Sequence, residues 1–131
     1  MATSSPDTSN AEKHVVLVIE DEPVLRIEIA DMLEDDGFEV VESTSVEEAI
    51  HVLETRPDIR IVYIDLDMPK GIDGVKFAAA IRNRWPPIEI VLTASRFDAA
   101  RIELPVRSRF FAKPIDPASV MKTMRAFAMR A

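Results

Sequence analysis

At 131 residues, with a formal charge of −7 and an isoelectric point near 4.8, the chain has room for one domain with a proper core and not for two. That acidity argues against electrostatic binding to nucleic acid or an anionic membrane, no apolar run is long enough to cross a bilayer, and no basic stretch followed by an apolar one marks a secretory signal. The absence of cysteine excludes disulfides and thiolate metal sites and fits a cytoplasmic location.

Residues Met1 to Glu12 are rich in Ser, Thr, Pro, Asp and Asn without an apolar period. A disordered tail is expected there, and a single domain over residues 13–131. His14-Val15-Val16-Leu17-Val18-Ile19 is apolar, β-branched and too short for a helix, as a buried parallel strand is, and it ends in Glu20-Asp21-Glu22. Pro23 suits the first turn of a helix carrying Leu25, Ile29, Met32 and Leu33 at helical spacing, and Gly37 is placed to terminate it. Phe38 to Val41 forms a short second strand. Ser45 with Glu48 matches a capping box, opening a helix through Leu53 that Pro57 and Asp58 break.

Arg60-Ile61-Val62-Tyr63-Ile64 is the central strand, closed abruptly by Asp65, a second acid at Asp67 and then Pro69. The loop Leu66 to Asp73 leads to Gly74 and a helix of about Val75 to Arg84 holding Phe77, Ala78, Ala80 and Ile81, which Trp85-Pro86-Pro87 ends. Ile88 to Leu92 is a fourth strand, closed by Thr93-Ala94-Ser95. Between Arg96 and Ser108 the helical pattern is weak, and Pro105 stops any long helix, so a short or irregular fourth helix is expected. Arg109 to Ala112 is a fifth strand ending at Lys113-Pro114. Asp116 can cap a last helix with Pro117 at its first position and Val120, Met121, Met124 and Phe127 on one face.

Strands alternating with helices predict an α/β fold, a doubly wound parallel sheet covered on both faces. With right-handed crossovers, the natural small solution is five strands in the flavodoxin-like order 2-1-3-4-5. In that order the first and third strands meet at the switch point, where ligands bind at the carboxyl edge. Glu20 and Asp21 then lie beside Asp65, with Thr93 next along and Lys113 at the far strand.

Converging carboxylates repel one another, and a divalent cation removes that conflict. Mg²⁺ takes oxygen ligands and keeps several waters, which suits Asp21 and Asp65 as direct ligands, Glu20 through water and the main-chain carbonyl of Asp67 as a third candidate. A carboxylate is a competent nucleophile toward phosphorus, so Asp65 is the candidate acceptor of a phosphoryl group. Charge developing on the transferred oxygens needs fixed partners, for which the Lys113 ammonium and the Thr93 hydroxyl are placed.

This constellation resembles the receiver domain of two-component response regulators, of the single-domain, chemotaxis-regulator-like kind, over about Lys13 to Arg130. The resemblance rests on Val16-Leu17-Val18-Ile19-Glu20-Asp21-Glu22-Pro23, Ile64-Asp65-Leu66-Asp67-Met68-Pro69, Leu92-Thr93-Ala94 and Phe111-Ala112-Lys113-Pro114, in order and at family-like spacing. It implies an aspartyl phosphate at Asp65, donated by a histidine kinase or histidine phosphotransfer protein, and slow self-catalysed hydrolysis rather than turnover as an enzyme. It implies that Thr93, Ala94 and Lys113 hold the phosphoryl group, that Thr93 and Phe110 form a coupled switch, and that Asp67 and Ser95 tune the phosphoryl lifetime. A downstream protein target and a homodimer are further expectations, without nucleic acid or membrane as direct partners. Because the chain ends with its last helix, it is expected to act without a fused output domain. Departures from the family pattern are a loop between Asp65 and Gly74 one residue longer than the commonest form, the weak helix before the fifth strand, and Phe110 in place of a frequent Tyr.

Blander readings stand beside these. Acids at strand ends can be solvated loop residues, Lys113 an ordinary lysine before a turn, Thr93 a loop cap, the Asp67 side chain a surface acid, and Phe110 and Phe111 simply core. The stripe on the last helix reads as core or interface, Lys122, Arg125 and Arg130 as solvated complements of its dipole, and Asp35-Asp36 as a solvated helix end. His14 and His51 have no partner at ligand spacing. Two rival functions share the chemistry: a pseudo-receiver that binds partners regardless of phosphate, and a metal-dependent phosphohydrolase of the haloacid-dehalogenase type, whose Asp-x-Asp is matched by Asp65-Leu66-Asp67. The latter places its further acids after the lysine and needs a cap for which this chain has no room.

Overall fold

The computed structural model describes residues 13–67, 74–95 and 104–130. The expected N-terminal tail, the loop from Met68 to Asp73 and the weak helix at 96–103 lie outside the described residues. Among the described residues nine elements follow in order: β1 (Val15–Ile19), α1 (Pro23–Asp35), β2 (Glu39–Ser43), α2 (Val46–Thr55), β3 (Ile59–Asp65), α3 (Gly74–Arg84), β4 (Glu89–Ala94), β5 (Ser108–Ala112) and α4 (Pro117–Arg130). The strands form one parallel sheet in the order β2-β1-β3-β4-β5, as the alternating pattern predicts.

The strands are apolar on both faces because helices cover both. On one side Leu17, Ile19, Val62, Ile64 and Leu92 pack with Ala49 and Leu53 of α2 and Phe77, Ala78 and Ile81 of α3. On the other, Val16, Val18, Ile61, Tyr63 and Val91 pack with Ile29 and Leu33 of α1 and Val120, Met121, Met124 and Phe127 of α4. Burying one such side chain stabilises the fold by about 1.5–3 kcal/mol, so the central strand is anchored from two directions. Ala80, in the same helix, turns outward.

Local chemistry fixes the ends of the elements. Glu22 caps α1, accepting from the main-chain N–H of Val24 and Leu25 at 3.2 and 2.9 Å, with Pro23 in the first turn. Gly37 ends the helix at φ +97°, a conformation that favours glycine, and donates to the carbonyl of Glu34. Phe38, expected in the second strand, donates to the Leu33 carbonyl and belongs to this helix end; the strand instead runs on to Ser43, paired with Ile19. Ser45 caps α2 through the Glu48 N–H, while the Glu48 carboxylate reaches back to Thr44, one residue before the usual capping-box partner. At Gly74 the post-Asp65 turn comes close to α3, and a Cβ there would push aside the tip of the Leu66 side chain.

Three readings of surface charge are corrected. Arg125 makes two hydrogen bonds to Asp36 at 2.8 and 2.7 Å, tying the last helix to the end of the first, so neither residue is merely solvated. The guanidinium holds the Asp36 carboxyl below its ordinary range. Arg130 donates to Glu89 at 2.9 Å, across the sheet's amino-terminal rim.

Candidate functional site

Parallel register delivers the chemistry to one rim. Ile19 pairs with Ile64, so the residues that follow, Glu20 and Asp65, leave their strands side by side. Asp65 pairs with Thr93, and Ala94 with Ala112, directly before Lys113. Glu20 and Asp65 are buried, at 2% and 3% exposure, and Asp21 is exposed. One carboxylate oxygen from each of Glu20, Asp21 and Asp65 lies within 4.8 Å of the others, a donor group able to hold a metal ion.

Lys113 closes the site from the far strand. Its Nζ stands 3.0 Å from Asp65 Oδ1 and 3.0 Å from Asp67 Oδ2, and its main-chain N–H donates to the Ala94 carbonyl at 2.9 Å. The Lys113–Pro114 peptide is cis. Asp67 folds back over the strand end: its N–H donates to Asp65 Oδ1 at 2.9 Å, and its carboxylate accepts from the Ser95 N–H at 3.1 and 2.9 Å. Asp67 is exposed, as the blander reading has it, but its side chain is more than a solvated acid. It links the β3 turn to the end of β4. Its main-chain carbonyl, the candidate metal donor, leaves from that same turn.

The electrostatics follow from this crowding. Burial, then the hydrogen bond with Asp65, raises the Glu20 carboxyl well above the carboxylate range; the Glu22 N–H, donating at 3.0 Å, opposes the rise. Partial burial works against ionising Asp67, but Lys113 and Ser95 outweigh it and hold the carboxyl below its ordinary value. Burial likewise opposes the charge on Lys113, and its two aspartate partners overcome that and raise its pKa. Tyr63, two residues before Asp65 on β3, is pushed up to about 12 by burial.

Buried Thr93 Oγ1 makes no well-aligned hydrogen bond, although it lies close enough to the Tyr63 hydroxyl to oppose the rise in that group's pKa. An all-oxygen donor set, one member of which is forced toward its neutral form by burial and a neighbouring acid, fits a hard divalent cation. Phe110 pairs with Leu92 and packs in the cluster on the α2 and α3 side, whereas Thr93 pairs with Phe111.

Beside the cluster runs an apolar groove of about 450 Å³ between α1 and the segment after β5, lined by Glu20, Leu25, Ile29, Met32, Lys113 and Pro114 among others. Leu25, expected on the buried face of its helix, opens onto this groove and is 37% exposed; Val24 and Ile27 nearby are 61% and 53% exposed. Sequence patterning missed two acids with structural duties. Glu22 is the α1 cap, for which Pro23 immediately after it was the available signal. Glu89 is 1% exposed and paired with arginines distant in sequence, for which no local signal existed.

The family model described as "Response regulator receiver domain" matches residues 16–125. The chain is 34% identical over 96 residues to the transcriptional regulatory protein PdtaR of Mycobacterium tuberculosis, covering 72% of this chain and 45% of that one. It is 31% identical over 127 residues to the transcriptional regulatory protein CseB of Streptomyces avermitilis, covering 92% and 51%. The chain thus spans about half the length of these curated relatives. Among solved structures, a response regulator receiver protein from Sinorhizobium medicae superposes with a TM-score of 0.80 at 25% identity, covering 91% of this chain and 97% of that one. A receiver domain protein from Clostridium thermocellum shares the fold, with a TM-score of 0.79 at 23% identity over 89% and 95%.

Proposed function

The chain belongs to the response regulator receiver domain family, and from that premise we propose that it is a phosphorylation-dependent signalling receiver whose acceptor is Asp65. The observation that carries the reading is the convergence on Asp65 of two further acids and one lysine, with Lys113 Nζ 3.0 Å from the Asp65 carboxylate. The donor is a phosphohistidine of a histidine kinase or phosphotransfer protein. One Asp65 oxygen attacks phosphorus as the P–N bond breaks, and the donor imidazole leaves with that electron pair.

Glu20, Asp21 and Asp65, with the Asp67 carbonyl, would hold Mg²⁺, which when bound neutralises carboxylate repulsion and charge on the transferred oxygens. Lys113 would turn from Asp65 and Asp67 toward one phosphoryl oxygen, and the Thr93 hydroxyl would donate to another. Ala94 supplies main-chain groups at the same strand end. When Lys113 turns, Asp67 loses one of its two partners and keeps the Ser95 N–H, so the β3 and β4 turns are mechanically joined. Movement of Thr93 toward the phosphoryl group, coupled through β4 and β5 to the Phe110 ring, is the proposed switch. Asp67 and Ser95 border the path of a hydrolytic water and set the phosphoryl lifetime.

The groove along α1, with Val24, Leu25 and Ile27 exposed, supports docking of the phosphodonor there. The test is intact-mass analysis of the full chain incubated with Mg²⁺ and a small acyl-phosphate donor. One phosphoryl group on the wild type and none on Asp65→Asn is expected. Partner binding indifferent to that substitution would favour the pseudo-receiver, and multiple turnovers on an aryl phosphate would favour the phosphohydrolase.

A further inference from the structure

Beneath the acceptor lies one polar group that its apolar surroundings do not call for. Tyr63 of β3 is 2% exposed and pairs with Val18 on one side and Val91 on the other, both fully buried. Its ring packs in the apolar cluster against α1 and α4. Phenylalanine would fill the same space, and a buried phenol hydroxyl is costly unless it meets a polar group.

Strand alternation supplies that group. Residues two apart on a strand share a face, so Tyr63 and Asp65 do, and Thr93, paired with Asp65, joins them. The Tyr63 hydroxyl accordingly lies beside the Thr93 hydroxyl, within the field of Asp65, Lys113 and Glu20. Tyr63 also lines the groove along α1, together with Glu20 and Lys113. Phe110 packs on the other face of the sheet, so this contact is separate from the Thr93 and Phe110 pair.

We propose that Tyr63 is a positioning residue for Thr93, its phenol donating to Thr93 Oγ1 while the Thr93 hydroxyl donates to the phosphoryl group. The inference rests on the reading of Asp65 as the acceptor. A phenol is a better donor than acceptor, whereas an aliphatic hydroxyl does both at once. The order from Tyr63 to Thr93 to phosphoryl oxygen therefore gives each proton an acceptor, and each bond in such a chain strengthens the next. Without the phosphoryl group the two hydroxyls are adjacent but poorly aligned. A phosphoryl oxygen that fixes the Thr93 proton turns a lone pair of Oγ1 toward the phenol. The state of Asp65 is then felt at the floor of the groove along α1.

The test is a double-mutant cycle on the full chain. Intact mass follows the rate of phosphorylation by a small acyl-phosphate donor with Mg²⁺ for wild type, Tyr63→Phe, Thr93→Ala and the two changes together. Tyr63→Phe keeps the ring, and thermal melting checks that it folds. It should slow phosphorylation about fivefold where Thr93 is present and leave the rate of Thr93→Ala unchanged. A merely structural role would slow both backgrounds alike. Equal rates for wild type and Tyr63→Phe, or the same slowing in both backgrounds, would overturn the role of Tyr63 and leave Asp65 as the acceptor. A wild type that takes up no phosphoryl group, or one that Asp65→Asn still takes up, would overturn the acceptor and this role with it.

Discussion

The two rims of the sheet each bury a carboxylate, and they treat it in opposite ways. At the carboxyl rim, Asp65 sits among Glu20, Asp21 and Asp67 with one cation, Lys113, shared between two of them. At the amino rim, Glu89 faces two arginines, Arg107 and Arg130. A buried acid with surplus compensation is finished: its neighbours gain nothing from a further cation. A buried acid with too little compensation is a site, because a metal ion or a phosphoryl-bound lysine changes its energy. Burial alone does not distinguish them; the local balance of charge does.

The largest expected effect breaks the compensated rim. Replacing Arg107 and Arg130 together by Ala strands the Glu89 carboxylate and should lower the unfolding free energy by about 3 kcal/mol in urea denaturation, with each single substitution costing far less. Next, Lys113→Ala leaves Asp65 and Asp67 facing each other. Phosphorylation should fall at least about tenfold, and the metal-free protein should lose about 1–2 kcal/mol of stability, a loss that Mg²⁺ reduces. Third, Asp65→Asn should stabilise the metal-free protein by about 1 kcal/mol while abolishing phosphorylation, because it relieves repulsion at the uncompensated rim. The matching change Glu89→Gln should have the opposite sign.

The smallest effect is one of pH. The folded state raises the Glu20 pKa, so its proton is held more tightly than in the unfolded chain. That contribution to stability is complete below the ordinary glutamate range and is lost as pH rises through the raised value. Without divalent ions, stability should therefore decline above the ordinary range, and Glu20→Gln should flatten that decline in denaturation measured at several pH values.

The carboxyl rim was legible in the sequence because each of its residues ends an apolar run: Glu20 after Ile19, Asp65 after Ile64, Thr93 after Leu92, Lys113 after Ala112. A polar residue at the end of a buried strand is conspicuous, and the parallel order does the rest. Glu89 was not legible, since an acid between Ile88 and Ile90 reads as one polar position in an alternating strand, and its partners lie 18 and 41 positions away. The same holds for Asp36 and Arg125, joined across 89 positions, and for the Asp67 carboxylate, whose Ser95 partner lies 28 positions on. Local pattern locates strand ends; it does not see side chains that meet only once the chain has folded.

The most direct measurement is to trap the acceptor itself. The full chain is phosphorylated with a small acyl-phosphate donor and Mg²⁺, reduced with borohydride and mapped by peptide mass, which converts an aspartyl phosphate to homoserine. Homoserine confined to position 65 is the expected result. Homoserine at Asp21 or Asp67, or none at any position, would contradict Asp65 as the acceptor.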